Sequence, residues 1–408
     1  MKLLHLTQVF ELANDSGSDR HFFFCRHAVR KGWDAVAITS NVNYKTATAR
    51  YPGKWLVTRE ADGVQVRYVY SFAGIRGSLA RRVWYYVTYF AATIVDALRQ
   101  SRPDVVYAVS TPLTVGFLGM LLSKIWRRPF VFEVTDLWPD AIVAVGLMRR
   151  GPMLTLAQWM ERTCYRNAAG IVALTKGIRE GIIAKGIGPE KVSLITNGFD
   201  PALFTAVDDG SRAAVRAKLA LRDDQLLCMY LGAHGMYNSL ETILGAAEHL
   251  RDRNDIAFVF VGDGDQKAPL QQQVEAKGLS NVHFLPPIPR HESVGVLSAA
   301  DVFLLPNRAG AFYRMNLPNK LFDFLASARP VVVAGEGETA EVVSRAGAGT
   351  IVPAEDARAM AGAIADLRDA GAEMRSEMGR RGRAFVHEHY DREKLAEHFV
   401  EVIERAAG

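Results

Sequence analysis

The stretch Asn316 to Ala334, N-L-P-N-K-L-F-D-F-L-A-S-A-R-P-V-V-V-A, decides how the chain is read. A Pro-containing turn leads into apolar positions at helical spacing (Leu321, Phe322, Phe324, Leu325), and Ala-Arg-Pro then hands over to the β-branched run Val331 to Val333. The expectation is a loop, a short helix and a buried strand. Pro318 suits a first helical turn, where a missing N–H costs nothing. Lys320 then sits beside free backbone N–H groups, a place to hold an anion. Asp323 follows three positions later on the same face, so one ligand with a phosphate and hydroxyls could touch both. A capped surface helix with an ordinary ion pair is the plainer alternative.

Upstream, Leu226 to Leu231 opens a strand and helix alternation that continues through Ile256 to Val261, Val282 to Leu285 and Val302 to Leu305. Two small-residue loops follow strand ends in this run: Gly232-Ala233-His234-Gly235 and Gly262-Asp263-Gly264. Glycines there let backbone approach a diphosphate closely.

The first half repeats the pattern. Leu3 to Thr7 reads as a strand, followed by a polar loop containing Gly17, a helix from about Asp19 to Lys31 and a strand Ala35 to Thr39. This is a βαβ opening, without the spacing of a dinucleotide fingerprint. Phe130 to Val134 is a buried strand ending in E-V-T-D-L-W-P-D, where Glu133, Asp136 and Asp140 place three carboxylates at its carboxyl end. A solvated loop capping the next helix is the plainer reading of these acids. Ser78 to Gln100 reads as a helix whose apolar face (Leu79, Val83, Tyr86, Phe90, Ile94 and Ala97 or Leu98) packs on the core, with Arg76, Arg81, Arg82, Trp84, Tyr85 and Tyr89 beside it as an interface.

Composition bounds the class. With 408 residues, 49% hydrophobic and 23% charged, the chain can fill two or three globular domains. Cys25, Cys164 and Cys228 lie far apart, which supports neither a zinc knuckle nor a disulfide framework and suits a reducing cytoplasm. The opening M-K-L-L-H-L-T-Q-V-F reads as a strand rather than a signal peptide, and the apolar runs Val105 to Leu122 and Val83 to Val95 are too interrupted or too short to span a bilayer. Residues 1 to 200 hold 26 Lys+Arg against 15 Asp+Glu; residues 201 to 408 hold 23 against 29. The first half, at net +11, is the half expected to meet something negative. Scattered basic residues without a recognition motif argue against nucleic acid.

Three segments resemble family 4 glycosyltransferases: Pro318 to Pro330, Asp136-Leu137-Trp138-Pro139, and Asn197-Gly198-Phe199-Asp200. The second is similar to the subgroup that builds bacterial surface polysaccharides. The resemblance implies an α/β fold of GT-B architecture, with two facing Rossmann-like domains, an interdomain cleft and a C-terminal helix crossing back to domain one. The bounds expected are 1–200 for an acceptor-binding domain, 201–387 for a nucleotide-sugar-binding domain and 388–408 for the returning helix.

It also implies residue roles. Gly17, Gly232, His234, Gly235, Gly262, Gly264, Arg314, Pro318, Lys320 and Asp323 would bind the donor, Lys320 on the diphosphate and Asp323 on the ribose. Asp136, with Glu133 behind it, would meet the acceptor, and Asp136 and Lys320 would be catalytic. Asp323 stands where the family has Glu, and Met315 where it has a further acid. The implied reaction is transfer with retention from a UDP-sugar to a polyprenyl-diphosphate-linked glycan, without a metal or other cofactor. It would take place in the cytoplasm at the inner face of an anionic membrane. A UDP-sugar 2-epimerase and a non-catalytic nucleotide-sugar-binding subunit are the alternatives.

Overall fold

In the computed structural model, which describes residues 1–12, 18–44, 46–75, 78–144, 146, 148, 150–204 and 209–408, the chain divides into two units. One comprises Met1–Thr196 with Glu393–Gly408, the other Asn197–Arg392.

Unit 1 begins with β1 (Lys2–Leu6), α1 (Arg20–Arg30), β2 (Asp34–Ser40), β3 (Leu56–Ala61) and β4 (Val64–Val69). It continues through α2 (Leu79–Leu98), β5 (Val105–Val109), α3 (Leu113–Trp126), β6 (Phe130–Val134) and α4 (Asp140–Ala144). Next come α5 (Pro152–Asn167), β7 (Gly170–Ala173), α6 (Lys176–Ala184) and β8 (Val192–Leu194). The strands form one sheet in the order β3-β4-β2-β1-β5-β6-β7-β8, parallel except for β3, which pairs antiparallel with β4 at the edge. The complete burial of β5 and β6, Glu133 included, follows from this placement, because a parallel strand covered on both faces has no solvent side.

Unit 2 runs α7 (Asp209–Lys218), β9 (Leu226–Leu231), α8 (Leu240–His249), β10 (Ile256–Val261), α9 (Lys267–Lys277), β11 (Val282–Leu285) and α10 (Arg290–Leu297). It continues with β12 (Val302–Pro306), α11 (Ala311–Arg314), α12 (Asn319–Ala326), β13 (Val331–Ala334), α13 (Glu338–Ala346), β14 (Gly349–Val352), α14 (Ala357–Asp369) and α15 (Gly371–His389). Its sheet is wholly parallel, β11-β10-β9-β12-β13-β14. Alternation along β9 divides the core: Leu227 and Met229 enter the layer under α12, whereas Leu226, Cys228 and Tyr230 enter the layer with α8 and α14. Strand order reverses between β9 and β12, and the crevice beyond the carboxyl ends of strands at such a reversal is where doubly wound sheets take ligands. Gly232 is the first residue past β9 there.

The last helix, α16 (Arg392–Ala407), belongs to unit 1: Ala396, Phe399, Val400 and Ile403 lie in its core, with Phe399 stacked on Phe24 at 4.7 Å. It starts later than expected. The helical stretch ending at His389 is α15, and a break at Tyr390 separates the two. The break is held by a pair of backbone hydrogen bonds, Phe199 N–H to Tyr390 O and Arg392 N–H to Phe199 O, both 3.1 Å. Phe199 is fully buried against Phe204 and His387, which puts the unit boundary at Asn197 rather than after Asp200.

The face of α2 is also corrected. Tyr85 and Tyr89 are core residues, and the Tyr89 hydroxyl donates to Thr7 O at 3.0 Å. Val83, expected on the inward face, is exposed, together with Val87, Val95 and Leu98; Trp84, placed beside that face, is exposed too. An apolar helix leaves periodicity ambiguous, and here the inward face is chosen by polar groups that find partners inside: the tyrosine hydroxyl, and Asp96, which holds Arg67 at 2.6 and 2.7 Å. No helix among the described residues is long and apolar enough to cross a membrane.

Candidate functional site

In unit 2 the two glycine turns meet. Gly232 and Gly262 have φ of +148° and +143°, where an L side chain is strained. A Cβ on Gly262 would run into the Gly232 carbonyl oxygen, and one on Gly232 would stand 2.7 Å from Lys320 Nζ. The turns are therefore stacked backbone on backbone, with the lysine amine against the first. Gly264 packs on the His234 carbonyl, whereas a Cβ at Gly235 would meet nothing closer than 3.8 Å, so no steric demand for glycine exists there. Lys267, which the sequence did not single out, ties the second turn down by donating from Nζ to Gly262 O at 2.9 Å and Leu285 O at 3.3 Å.

Lys320 lies in the first turn of α12, behind Pro318, whose extended backbone (φ −72°, ψ 142°) caps the helix. Its Nζ donates to the Tyr230 hydroxyl at 2.6 Å and rests 4.2 Å from the centre of that ring. Among the described residues no carboxylate pairs with it. Burial without a counter-charge brings the ammonium down from lysine's ordinary 10.5 to about 7. The geometry presents a desolvated cation, two stacked glycine turns and a helix start at the strand-order reversal, an arrangement that suits an anion.

Other donor residues inferred from the sequence are placed differently. The His234 ring is fully buried, with Tyr230, Phe260 and Phe284 rings 6.0–6.4 Å away, and neither of its nitrogens has a partner. Burial, Lys267 and Lys320 push its pKa down to about 4 against the opposing pull of Asp263, so it is a neutral ring. Its main chain does the joining: N–H to Asp263 O at 2.8 Å, and O from Gln266 N–H at 2.9 Å. Direct ligand contact by the His234 side chain is thus corrected to a wedge that locks the two turns together. Asp323 does not pair with Lys320; Arg290 grips both its oxygens at 3.0 and 3.3 Å. Arg290 lies 33 residues upstream of Asp323, and no local pattern announces it. Arg314 is exposed and paired with Glu336 at 2.6 Å. Gly17 lies outside the described residues.

In unit 1, Asp136 follows β6 and is half-buried. The Thr111 hydroxyl, past the end of β5, is 3.5 Å from Asp136 Oδ2 and 2.6 Å from the Thr135 hydroxyl. Burial pushes the Asp136 carboxyl up to about 6, with the Thr111 hydrogen bond acting the other way. Both neighbouring prolines, Pro112 and Pro139, follow cis peptide bonds. Asp140 is turned away onto Lys185 at 2.7 Å.

Glu133 is a second correction. It is fully buried, and its oxygens take Arg20 Nε at 3.1 Å, His21 Nε2 at 3.2 Å and the Tyr107 hydroxyl. Burial would raise its carboxyl, but Arg20 and His21 outweigh that and hold it well below the usual range. Arg20 also donates to Ile195 O at 2.8 Å and to Thr196 O, so Glu133 anchors β6 to the end of β8 through one guanidinium. No face of it is left for an acceptor.

Comparison with known proteins identifies the family. Residues 24–198 match the family model described as glycosyl transferase 4-like domain, and residues 225–370 match glycosyl transferases group 1; together they take in well over half of the chain. WcaI of Escherichia coli K12, a glycosyl transferase provisionally assigned to colanic acid biosynthesis, is 29% identical over 246 residues. That match spans 60% of this chain and 60% of the relative's own length. Among solved structures, the sucrose-phosphate synthase of Thermosynechococcus elongatus aligns over 99% of this chain and 98% of its own, with a TM-score of 0.77 at 16% identity. Anabaena HepE, in complex with UDP-glucose, aligns over 99% of each chain with a TM-score of 0.74 at 17% identity. These two likenesses concern the fold. The matched models and the two doubly wound units agree: the chain belongs to the family 4 glycosyltransferases, of GT-B fold.

Proposed function

We propose that the protein transfers a sugar, of the N-acetylated amino or deoxy-amino kind, from a UDP-sugar to a polyprenyl-diphosphate-linked glycan during bacterial polysaccharide biosynthesis. The observation that carries this reading is the unneutralised Lys320 ammonium against the Gly232 turn. A unit charge about 4 Å from a phosphate oxygen contributes on the order of 4 kcal/mol at an effective dielectric near 20. That stabilisation grows as the bond from the anomeric carbon to the diphosphate breaks and its electrons move to the leaving oxygen. Backbone N–H groups and Lys320 stand in for a divalent ion, and Asp323, oriented by Arg290, offers its remaining lone pairs to the ribose. The acceptor hydroxyl attacks from the face the diphosphate leaves, giving retention, and passes its proton to the leaving oxygen while Asp136 orients it.

The uridine donor is supported by the UDP-glucose complex of the Anabaena neighbour, and the polysaccharide setting by the E. coli relative. Peripheral contact with the cytoplasmic face of an anionic membrane is supported by the net +11 of the first half and by exposed Trp84, Val87, Met153, Leu156 and Trp159 on α2 and α5. Turnover of a panel of UDP-sugars on a polyprenyl-diphosphate glycan tests the reading. Loss of turnover in Lys320→Ala is expected, and a wild-type rate in both Lys320→Ala and Asp323→Ala would refute it. Turnover of donor alone, without acceptor, would instead indicate an epimerase.

A further inference from the structure

We infer that Tyr230 is a positioning residue for Lys320: its phenol holds the ammonium at the Gly232 turn while leaving the positive charge unneutralised for a diphosphate. The inference rests on Lys320 being the diphosphate-binding cation. A phenol has one proton to give, and that of Tyr230 goes to Ala233 O at 2.8 Å. Its lone pairs are therefore the part facing Lys320 Nζ at 2.6 Å, so the direction of both hydrogen bonds is set. One ammonium proton is used on Tyr230, and two remain for a ligand.

Burial and two further contacts keep this arrangement in place. Tyr230 is 1% exposed on β9, so its ring cannot swing away. That ring also lies under the ammonium at 4.2 Å, a contact that favours the cation without cancelling its charge. Ala233 O accepts a second hydrogen bond from Asn238 Nδ2 at 2.9 Å, which fixes the loop end of the chain Asn238–Ala233–Tyr230–Lys320. A carboxylate in place of the phenol would hold the lysine as well but would compete with the diphosphate. Tyr230 thus links the loop that meets the ligand to the cation that grips it.

The test is a double-mutant cycle on UDP binding, measured by calorimetry from pH 6 to pH 9. Tyr230→Phe keeps the ring and removes only the oxygen. Losing a hydrogen bond to a charged group should weaken UDP about tenfold at pH 8. It should also move the pH at which affinity begins to fall to a lower value, because the ammonium has lost an acceptor. In a Lys320→Met background the same substitution should change affinity less than twofold. Equal weakening in both backgrounds, or an unchanged pH profile in Tyr230→Phe, would overturn the inference while leaving Lys320 in its role. Undiminished UDP affinity in Lys320→Met alone would remove that role and this inference with it.

Discussion

Lys320 should cost the unliganded protein stability, and replacing it should show this. The ammonium falls from 10.5 to about 7 because burial strips its water and no carboxylate among the described residues compensates. At about 1.36 kcal/mol per pH unit, the distance between those values caps the penalty near 5 kcal/mol, and water reaching the half-buried amine brings the expected figure to about 2 kcal/mol. Below pH 7 folded and unfolded chains both carry the proton, and the folded chain bears the whole penalty. Between pH 7 and 10.5 the unfolded chain binds more protons, so stability rises with pH until the penalty is gone. Lys320→Met should therefore raise the urea midpoint of unliganded protein at pH 6, by an amount that shrinks towards nothing near pH 10, while UDP affinity is lost. A variant less stable than the parent at pH 6, or a difference flat across pH, would refute the reasoning. Such a trade, stability given up for a charged site, is what a binding lysine without a counter-charge implies.

Asp136→Asn should lower turnover at least a hundredfold with little effect on UDP affinity. The parent's rate should fall as pH drops through about 6, where burial has placed the carboxyl; an acid limb retained in the variant would count against Asp136. Glu133→Ala should destabilise unit 1 by roughly 3–5 kcal/mol, because it leaves the Arg20 guanidinium buried without its carboxylate. Since the folded carboxyl is held low, its contribution is present above about pH 4.3 and fades as pH falls, so parent and variant should converge in acid melts. Gly262→Ala should cost about 2–4 kcal/mol and weaken UDP binding together, since its methyl group would press the Gly232 backbone away from Lys320; tight UDP binding by a stable Gly262→Ala would contradict the stacked-turn geometry.

Unit 2 was legible because its strands are short apolar runs ended by glycine or proline, and parallel sheets bury both faces of such runs. The Val331 to Val333 strand and the Gly232 and Gly262 turns are examples. Edge strand β3 was not legible: L-V-T-R-E-A is half polar, and only its pairing with β4 makes it a strand. The outward turn of Val83 and Leu98 could not be read from spacing on a helix apolar nearly all round. The placement of a site residue was legible where one short segment carries it, as with Lys320 in the first turn behind Pro318. Legibility failed where a distant residue intervenes: Arg20 takes Glu133 from 113 positions away, and Tyr230 meets Lys320 across 90. No local pattern encodes a partner at that separation. The last break, at Tyr390, was hidden because α15 and α16 are both charged and amphipathic, and what separates them is the Phe199 backbone.

The most direct measurement is a crystal structure of the protein with a bound UDP-sugar. The account predicts a diphosphate oxygen within about 3 Å of Lys320 Nζ, with backbone of the Gly232 turn on its other side. A nucleotide seated elsewhere in the chain, with Lys320 still closed on Tyr230 and no phosphate against it, would contradict it.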